Sequence, residues 1–243
     1  MSPGTYAQLG QSKLLSILEM QLREEGKRPF VIPVGGSTPL GAFGYLDAFA
    51  EIERQAQELR RSFDHIVFAC GSGGTATGIA LASRLSGSST KVHAVGVCDS
   101  ADYFYAHIDS TCRAMGLDPD ALGGVRSWCT VYEGQGLGYA KSTEEELAFI
   151  ANVSRNSILQ HPLISFCTSL VLAGVVFDPV YSGKALFHFV RRMLESPSGS
   201  SGFKSGDSVL FIHTGGVLGL YDKIDQLTPI LSNDEIQKMN IKI

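Results

Sequence analysis

The stretch "FACGSGGTATGIALA", residues 68–82, decides the fold. The apolar run "HIVFA" (65–69) leads into it, and "ATGIALASRL" (76–85) leaves it with helical character. Between them lies "CGSGGT" (70–75), rich in Gly71, Gly73 and Gly74. The pattern predicts a strand at 65–69, a loop at 70–75 and a helix from about 76. Glycines let successive backbone N–H groups converge on one point, and a helix start adds unsatisfied N–H groups and partial positive charge. Ser72, Thr75 and Thr77 supply neutral donors, and no Lys or Arg lies within the turn. The turn therefore reads as a phosphate cup without a formal cation. It is not a P-loop, because no Gly-Lys-Ser/Thr follows, and it fits the dinucleotide fingerprint only partly.

Outward from the cup, short apolar runs alternate with amphipathic ones. "KVHAVGV" (91–97), "SWCTVYE" (127–133), "GVVFDP" (174–179) and "VLFIH" (209–213) read as strands, as does "PFVIPVGG" (29–36) before its glycine turn. Leu14, Leu15, Leu18 and Leu22 form one helical face that stops at Gly26. Leu46, Phe49, Ile52, Ala56 and Leu59 predict a helix over 44–60. Ser142 or Thr143, followed three residues later by Glu145 or Glu146, is a capping-box signal for a helix through about Val153. "KALFHFVRRML" (184–194) is a further helix, and "SPSGSSGFKSGDS" (196–208) an exposed loop. The alternation predicts an α/β fold: an open, mostly parallel twisted sheet with helices on both faces. Ligands in such sheets gather at the carboxyl ends of the strands.

Composition narrows the function classes. The 243 residues are 44% hydrophobic and 18% charged, enough to bury a sizeable core. A net charge of −4 without a long basic run argues against nucleic acid or an anionic membrane as partner. Cys70, Cys98, Cys112, Cys129 and Cys167 show no metal-ligand spacing and read as free thiols of a reducing compartment. No apolar run is long enough for a membrane span. The start "MSPGTYAQLG" shows no signal or transit pattern, which points to an intracellular protein.

Four stretches in a fixed order carry a resemblance: the cup, "IPVGGSTPLGAFGY" (32–45), "DPVYSGKA" (178–185) and "FIHTGGVLGLYDKIDQ" (211–226). Together they resemble the D-cysteine desulfhydrase and 1-aminocyclopropane-1-carboxylate (ACC) deaminase family of pyridoxal-phosphate enzymes, with the tryptophan-synthase-β-like fold. The resemblance covers most of residues 12–228. It implies that Gly71, Ser72, Gly73, Gly74 and Thr75 bind the cofactor phosphate. Tyr181 becomes the catalytic candidate, and Ser182 and Thr214 lie near the pyridine nitrogen. ACC deaminases carry an acid where Ser182 stands, and a tyrosine in a "YG" segment where Gln135 stands. A carboxylate there keeps the pyridine nitrogen protonated and the ring a strong electron sink, which a hydroxyl does poorly. β-Elimination asks less of the sink than cyclopropane opening. The plant-like "GLGYA" and "HTGGVLGLYDK" agree with that ranking. The expected reaction is D-cysteine to pyruvate, ammonia and hydrogen sulfide, with ACC deamination as the alternative.

The resemblance has two departures. The family's Schiff-base lysine lies in an "NK"-type motif upstream of "IPVGG", and this sequence has no match to it. Lys13 and Lys27 sit on or beside the first helix and read as solvated charges. The chain by itself is then expected to be inactive, and a non-catalytic member of the family is the other reading. Residues 1–30 are expected to lead from a smaller region into a cofactor-binding domain at 31–243. The apolar insert at about 156–172 reads as an extra segment or the product of an altered transcript. The resemblance further implies a small amino-acid substrate, no metal, a homodimer as one assembly open to it, and the mitochondrion or cytoplasm for a full-length relative.

Overall fold

The computed structural model describes residues 3–155, 175–195, 202–204 and 206–230. The insert expected at 156–172 lies outside the described residues.

Among the described residues the sheet has four parallel strands: β1 (His65–Cys70), β2 (Lys91–Gly96), β3 (Cys129–Glu133) and β4 (Val209–Ile212). Their order is β3-β2-β1-β4. His65 pairs with Lys91 on one side and Val209 on the other, and Val92 pairs with Cys129. Chain order runs outward from β1 to β3 and then returns to the opposite side of β1. The strand order thus reverses at β1, and in parallel sheets the carboxyl ends at such a reversal are where ligands gather.

Every residue of β1 is buried, as a strand covered on both faces requires. Ile66, Phe68 and Cys70 pack in one cluster with Phe49 of α2 (Pro39–Glu58), Ile79 of α3 (Gly74–Ser86) and Phe104 of α4 (Ala101–Ala114). Val67 and Ala69 point to the other face. There they meet Ala185 and Phe189. Both lie on a helix over Ser182–Glu195. A helix over Glu144–Arg155 adds Phe149, Ile150 and Val153 to a third cluster, with Phe177 and Phe187. We number the remaining helices in chain order: α1 (Pro3–Glu24), a short α5 (Val125–Trp128), α6 (Glu144–Arg155), α7 (Ser182–Glu195) and α8 (Ile224–Leu227).

Local signals place several boundaries. Thr38 accepts a hydrogen bond from the Gly41 amide at 3.0 Å and Pro39 occupies the first helical position, so α2 starts five residues before the hydrophobic period alone marks it. Thr143 and Glu146 form the expected capping box, at 3.1 and 2.8 Å. Gly26, at φ +77°, ends the first helix as expected.

Two expected strands are absent. Residues 27–33 are irregular and lead into a 3-10 turn at Val34–Gly36. Pro29 and Pro33 have no N–H to give a ladder, and Phe30 is 77% exposed. Of "GVVFDP", residues 175–179 are described, and none of them is in a strand. They cross the end of β4, where the Val176 carbonyl meets His213 Nε2 at 3.0 Å, a side-chain contact in place of a ladder. The loop before β4 is not wholly exposed either, because Phe203 packs on His65, His93 and Phe189.

Burial alone orders the expected cost of truncation. Phe68→Ala should lower stability by about 3–5 kcal/mol, through lost transfer energy and the cavity left behind. Phe30→Ala should change it by less than about 0.5 kcal/mol. Urea midpoints of the two variants check the contrast.

Candidate active site

The glycine turn leaves β1 at Cys70 and enters α3 two residues earlier than its sequence pattern marks. Gly73, at φ +93°, is the residue before the helix, and Gly74 opens it. A left-handed residue costs little only when it is glycine, and here a Cβ would also land 2.4 Å from the His107 ring. A Cβ on Gly74 would meet Ser37 Oγ at 2.6 Å, and one on Gly71 would meet the Tyr181 ring at 3.0 Å. The three glycines are thus the width of the cup, and His107, Ser37 and Tyr181 are its walls.

The cup has donors to spare. Thr77 N bonds the Gly73 carbonyl and closes the first turn of α3. The Gly73 amide faces the Cys70 thiol. Among the described residues, the amides of Ser72, Gly74, Thr75 and Ala76 meet no acceptor. Ser37 Oγ donates to Ser72 Oγ at 2.7 Å across the mouth. His107 Nε2 is buried and has no partner among the described residues, and burial lowers the pKa of its ring. Open amides at the start of a 13-residue helix, with hydroxyls beside them, suit a phosphate-sized anion. The cup contains no cationic side chain.

The second half of the site is built by Asp178, which is fully buried. Its Oδ2 accepts from the amides of Val180 (2.9 Å) and Tyr181 (2.5 Å), and Oδ1 accepts from Ser182 (2.7 Å). The carboxylate also complements the positive start of α7. The Cβ of any larger residue at Gly216 would reach Asp178 Cγ at 2.7 Å, so the chain after β4 passes directly over this clasp. That passage brings Thr214 to Ser182. The Thr214 amide donates to Ser182 Oγ at 3.3 Å, and the two hydroxyls are 3.5 Å apart. Ser182 is fully buried, and its hydroxyl has neutral partners, the Gly215 carbonyl included, at 3.4 Å.

The expected site residues therefore come together on one sheet edge. Phe68 pairs with Ile212, so the cup and Thr214 lie just past equivalent ends of neighbouring parallel strands. Tyr181 spans the space between them. Burial pushes its phenol well above the ordinary tyrosine value, and Tyr139 adds to the shift.

Tyr139 was not singled out by the sequence as a contact. Its hydroxyl lies 2.6 Å from that of Tyr181. A tyrosine from the 134–142 loop does reach the site, from position 139 rather than 135. The "GLGYA" match carried that signal, but the pairing spans 42 residues and only the fold reveals it. Ser37, in the quoted "IPVGGSTP", is a second such residue.

Other residues keep the supporting roles expected of them. His65 bonds His93 and Asp207, each at 2.9 Å, and His93 reaches Tyr132 at 3.1 Å. His213 holds the end of β4 through Val176 and the Gly215 amide. Lys13 and Lys27 are exposed, and Lys27 pairs with Glu25. Cys70, Cys98, Cys112 and Cys129 are free thiols.

The model of a family described as pyridoxal-phosphate dependent enzymes matches residues 10–215. A bifunctional D-cysteine desulfhydrase/1-aminocyclopropane-1-carboxylate deaminase of Arabidopsis thaliana, mitochondrial by its name, is 41% identical over 96% of this chain and 53% of its own length. A D-cysteine desulfhydrase of Serratia proteamaculans is 31% identical over 85% of this chain and 56% of its own. The solved structure of an ACC deaminase homologue superposes with a TM-score of 0.70 at 29% identity, covering 90% of this chain and 59% of that one. The chain spans about half the length of the curated relatives it matches.

The clasp makes a direct prediction. Asp178→Ala leaves three amides without acceptors. At about 1–3 kcal/mol for each buried donor left unsatisfied, it should lower stability by at least about 3 kcal/mol. Asp178→Asn, which keeps one acceptor oxygen, should cost less. Thermal unfolding of both variants measures the order.

Proposed function

This chain belongs to the pyridoxal-phosphate dependent enzymes, and on that premise we propose that it forms the phosphate-gripping part of a lyase that splits D-cysteine into pyruvate, ammonia and hydrogen sulfide. The open amides of Ser72, Gly74, Thr75 and Ala76 fit the cofactor's phosphate, with the Ser72 and Thr75 hydroxyls beside them. Ser182 and Thr214 would face its pyridine nitrogen, and Tyr181 would stand over its face. Bound there, pyridoxal phosphate supplies a sink for the electron pair left when the substrate's α-proton departs.

The observation that carries this reading is the neutrality of Ser182. The nearest carboxylate, Asp178, is committed to three amides. A hydroxyl at the ring nitrogen does not hold a proton there, so the sink stays weak. A weak sink suits elimination, in which that electron pair forms the Cα–Cβ double bond while sulfur departs with the C–S bonding pair. Tyr181, its phenol pushed upward by burial, keeps its proton and is fit to donate it to that sulfur. The Arabidopsis relative is named for both reactions, so ACC deamination is the second reading, and Ser182 speaks against it.

The lysine that would anchor the cofactor covalently matches none of Lys13, Lys27 or the other lysines of this sequence. We therefore also propose that residues 1–30 lead into the cofactor-binding domain at 31–243, and that these residues alone do not turn over substrate. Exposed Ile17, Leu18 and Met20 on α1 favour a covered neighbour for that helix. Exposed Phe30, Leu40, Leu218 and Tyr221 are consistent with further cover, by a homodimer or by the smaller region. The relative's name favours the mitochondrion. No described helix is long and apolar enough to cross a membrane.

The test compares the chain alone with the chain joined to the upstream half of the Arabidopsis relative. Sulfide release from D-cysteine should be absent from the first and present in the second. Ser72→Asp, which sets a carboxylate against the phosphate, should abolish it. Sulfide from the chain alone, or 2-oxobutyrate from ACC at a comparable rate, would overturn the reading.

A further inference from the structure

Among the described residues, Lys184 is the lysine whose side chain is fully buried. It stands in the first turn of α7, three residues after Tyr181. Its ammonium donates to the carbonyls of Gly138 (3.1 Å) and Lys141 (2.6 Å) and lies 3.9 Å from Glu146 Oε1. An ammonium has three donors, and all three face acceptors here. His188, one turn further along α7, meets the same Glu146 oxygen at 2.8 Å. The other Glu146 oxygen accepts from the Thr143 amide. Burial pulls the Lys184 pKa down, with Glu146 opposing and Lys223 adding to it. Glu146 is held below the ordinary carboxylate value: burial would raise it, but the bonds from His188 and Thr143 and the charge of Lys184 outweigh that.

The loop that Lys184 grips is the one that carries Tyr139. It is tied at one end by Gly134 N to the Gly96 carbonyl and at the other by the capping box at Thr143. Between those ties, Leu137 is 63% and Tyr139 54% exposed, so burial does not fix the loop. Ala140 sits at φ +56°, in the left-handed region that non-glycine residues avoid. The two carbonyls held by Lys184 belong to residues on either side of Ala140. Gly136, at φ +54°, lies where a Cβ would strike Glu146 Oε1 at 2.9 Å, so the loop is pressed onto this ion cluster without a spacer.

We propose that Lys184 is a positioning residue, whose buried ammonium holds the strained 138–141 turn at the height that brings the Tyr139 hydroxyl onto that of Tyr181. The proposal rests on Tyr181 being the hydroxyl that serves the substrate. One helix then carries both members of the arrangement: its start presents Tyr181, and its next turn fixes the partner of Tyr181. A well-packed apolar pair could fill the space of Lys184 and Glu146. It could not specify where two carbonyls of an exposed loop must lie.

The experiment uses hydrogen exchange and ring contacts, neither of which depends on turnover. In the unaltered chain, the amides of Gly138 and Lys141, bonded to the carbonyls of Gln135 and Gly138, should exchange together with those at the start of α7 as urea is raised. In Lys184→Met/Glu146→Gln, where glutamine keeps an oxygen for the Thr143 amide, the urea midpoint should stay near that of the parent. Those two amides should exchange at least about tenfold faster, and the Tyr139–Tyr181 ring contacts seen by NMR should vanish. Where the joined, active form is available, Lys184→Met should lower kcat for sulfide release by about tenfold with KM little changed. Combined with Tyr139→Phe it should add nothing further. Rapid exchange of Gly138 and Lys141 in the unaltered chain while α7 stays protected would overturn the proposal, whether or not any variant folds. So would ring contacts that survive in the folded double variant. Failure of the sulfide reaction with the exchange result intact would sink the reading of the activity and leave Lys184 as the holder of the loop.

Discussion

The carboxylate of Asp178 is the interaction on which the site depends. It sits in the protein interior and accepts hydrogen bonds from three successive amides, which turns the chain from an irregular approach into α7. Tyr181 and Ser182 are fixed by the same bonds that satisfy the carboxylate. The glycine at 216 lets the segment after β4 run directly against it, and that passage delivers Thr214. Removing the charge would cost more than a turn, because the cup wall at Tyr181 and the start of α7 share the same anchor.

The sheet supplies the place in which this anchor matters. With order β3-β2-β1-β4 and these strands parallel, the order reverses at β1, whose carboxyl end is the place where such sheets hold ligands. A glycine turn at the end of an internal strand offers amides there, and the helix behind them adds its dipole. On the proposed reading the turn holds an anion without a cationic side chain of its own, and the carboxylate beside Ser182, Asp178, is committed to three amides. On that reading, the weakness of the electron sink rests on one residue, Ser182.

Much of this was legible in the sequence because local chemistry decides it. The "HIVFA" run, the glycine punctuation and the small-residue helix after it admit few other structures. The Thr143–Glu146 capping box marks the start of α6 from side chains alone. "PFVIPVGG" misled because its residue types suit a strand, while its prolines deny the ladder two donors and Phe30 stays exposed. "GVVFDP" misled in the same way: apolar residues that cover the end of a strand resemble residues that form one. Strand order, and hence where it reverses, depends on pairings such as His65 with Val209 that no window of sequence contains. The contacts of Tyr139, Ser37 and Lys184 were hidden for that reason, although each lay within or beside a stretch whose residue pattern stood out.

The central claim is that the turn at 71–76 grips a phosphate through its own amides. Addition of inorganic phosphate to the nitrogen-15-labelled chain, followed residue by residue in amide NMR spectra, tests it most directly. The account predicts saturable shifts centred on Ser72, Gly74, Thr75 and Ala76, with smaller ones at Ser37 and His107. Shifts at other surfaces, with these four amides unmoved at saturating phosphate, would contradict it.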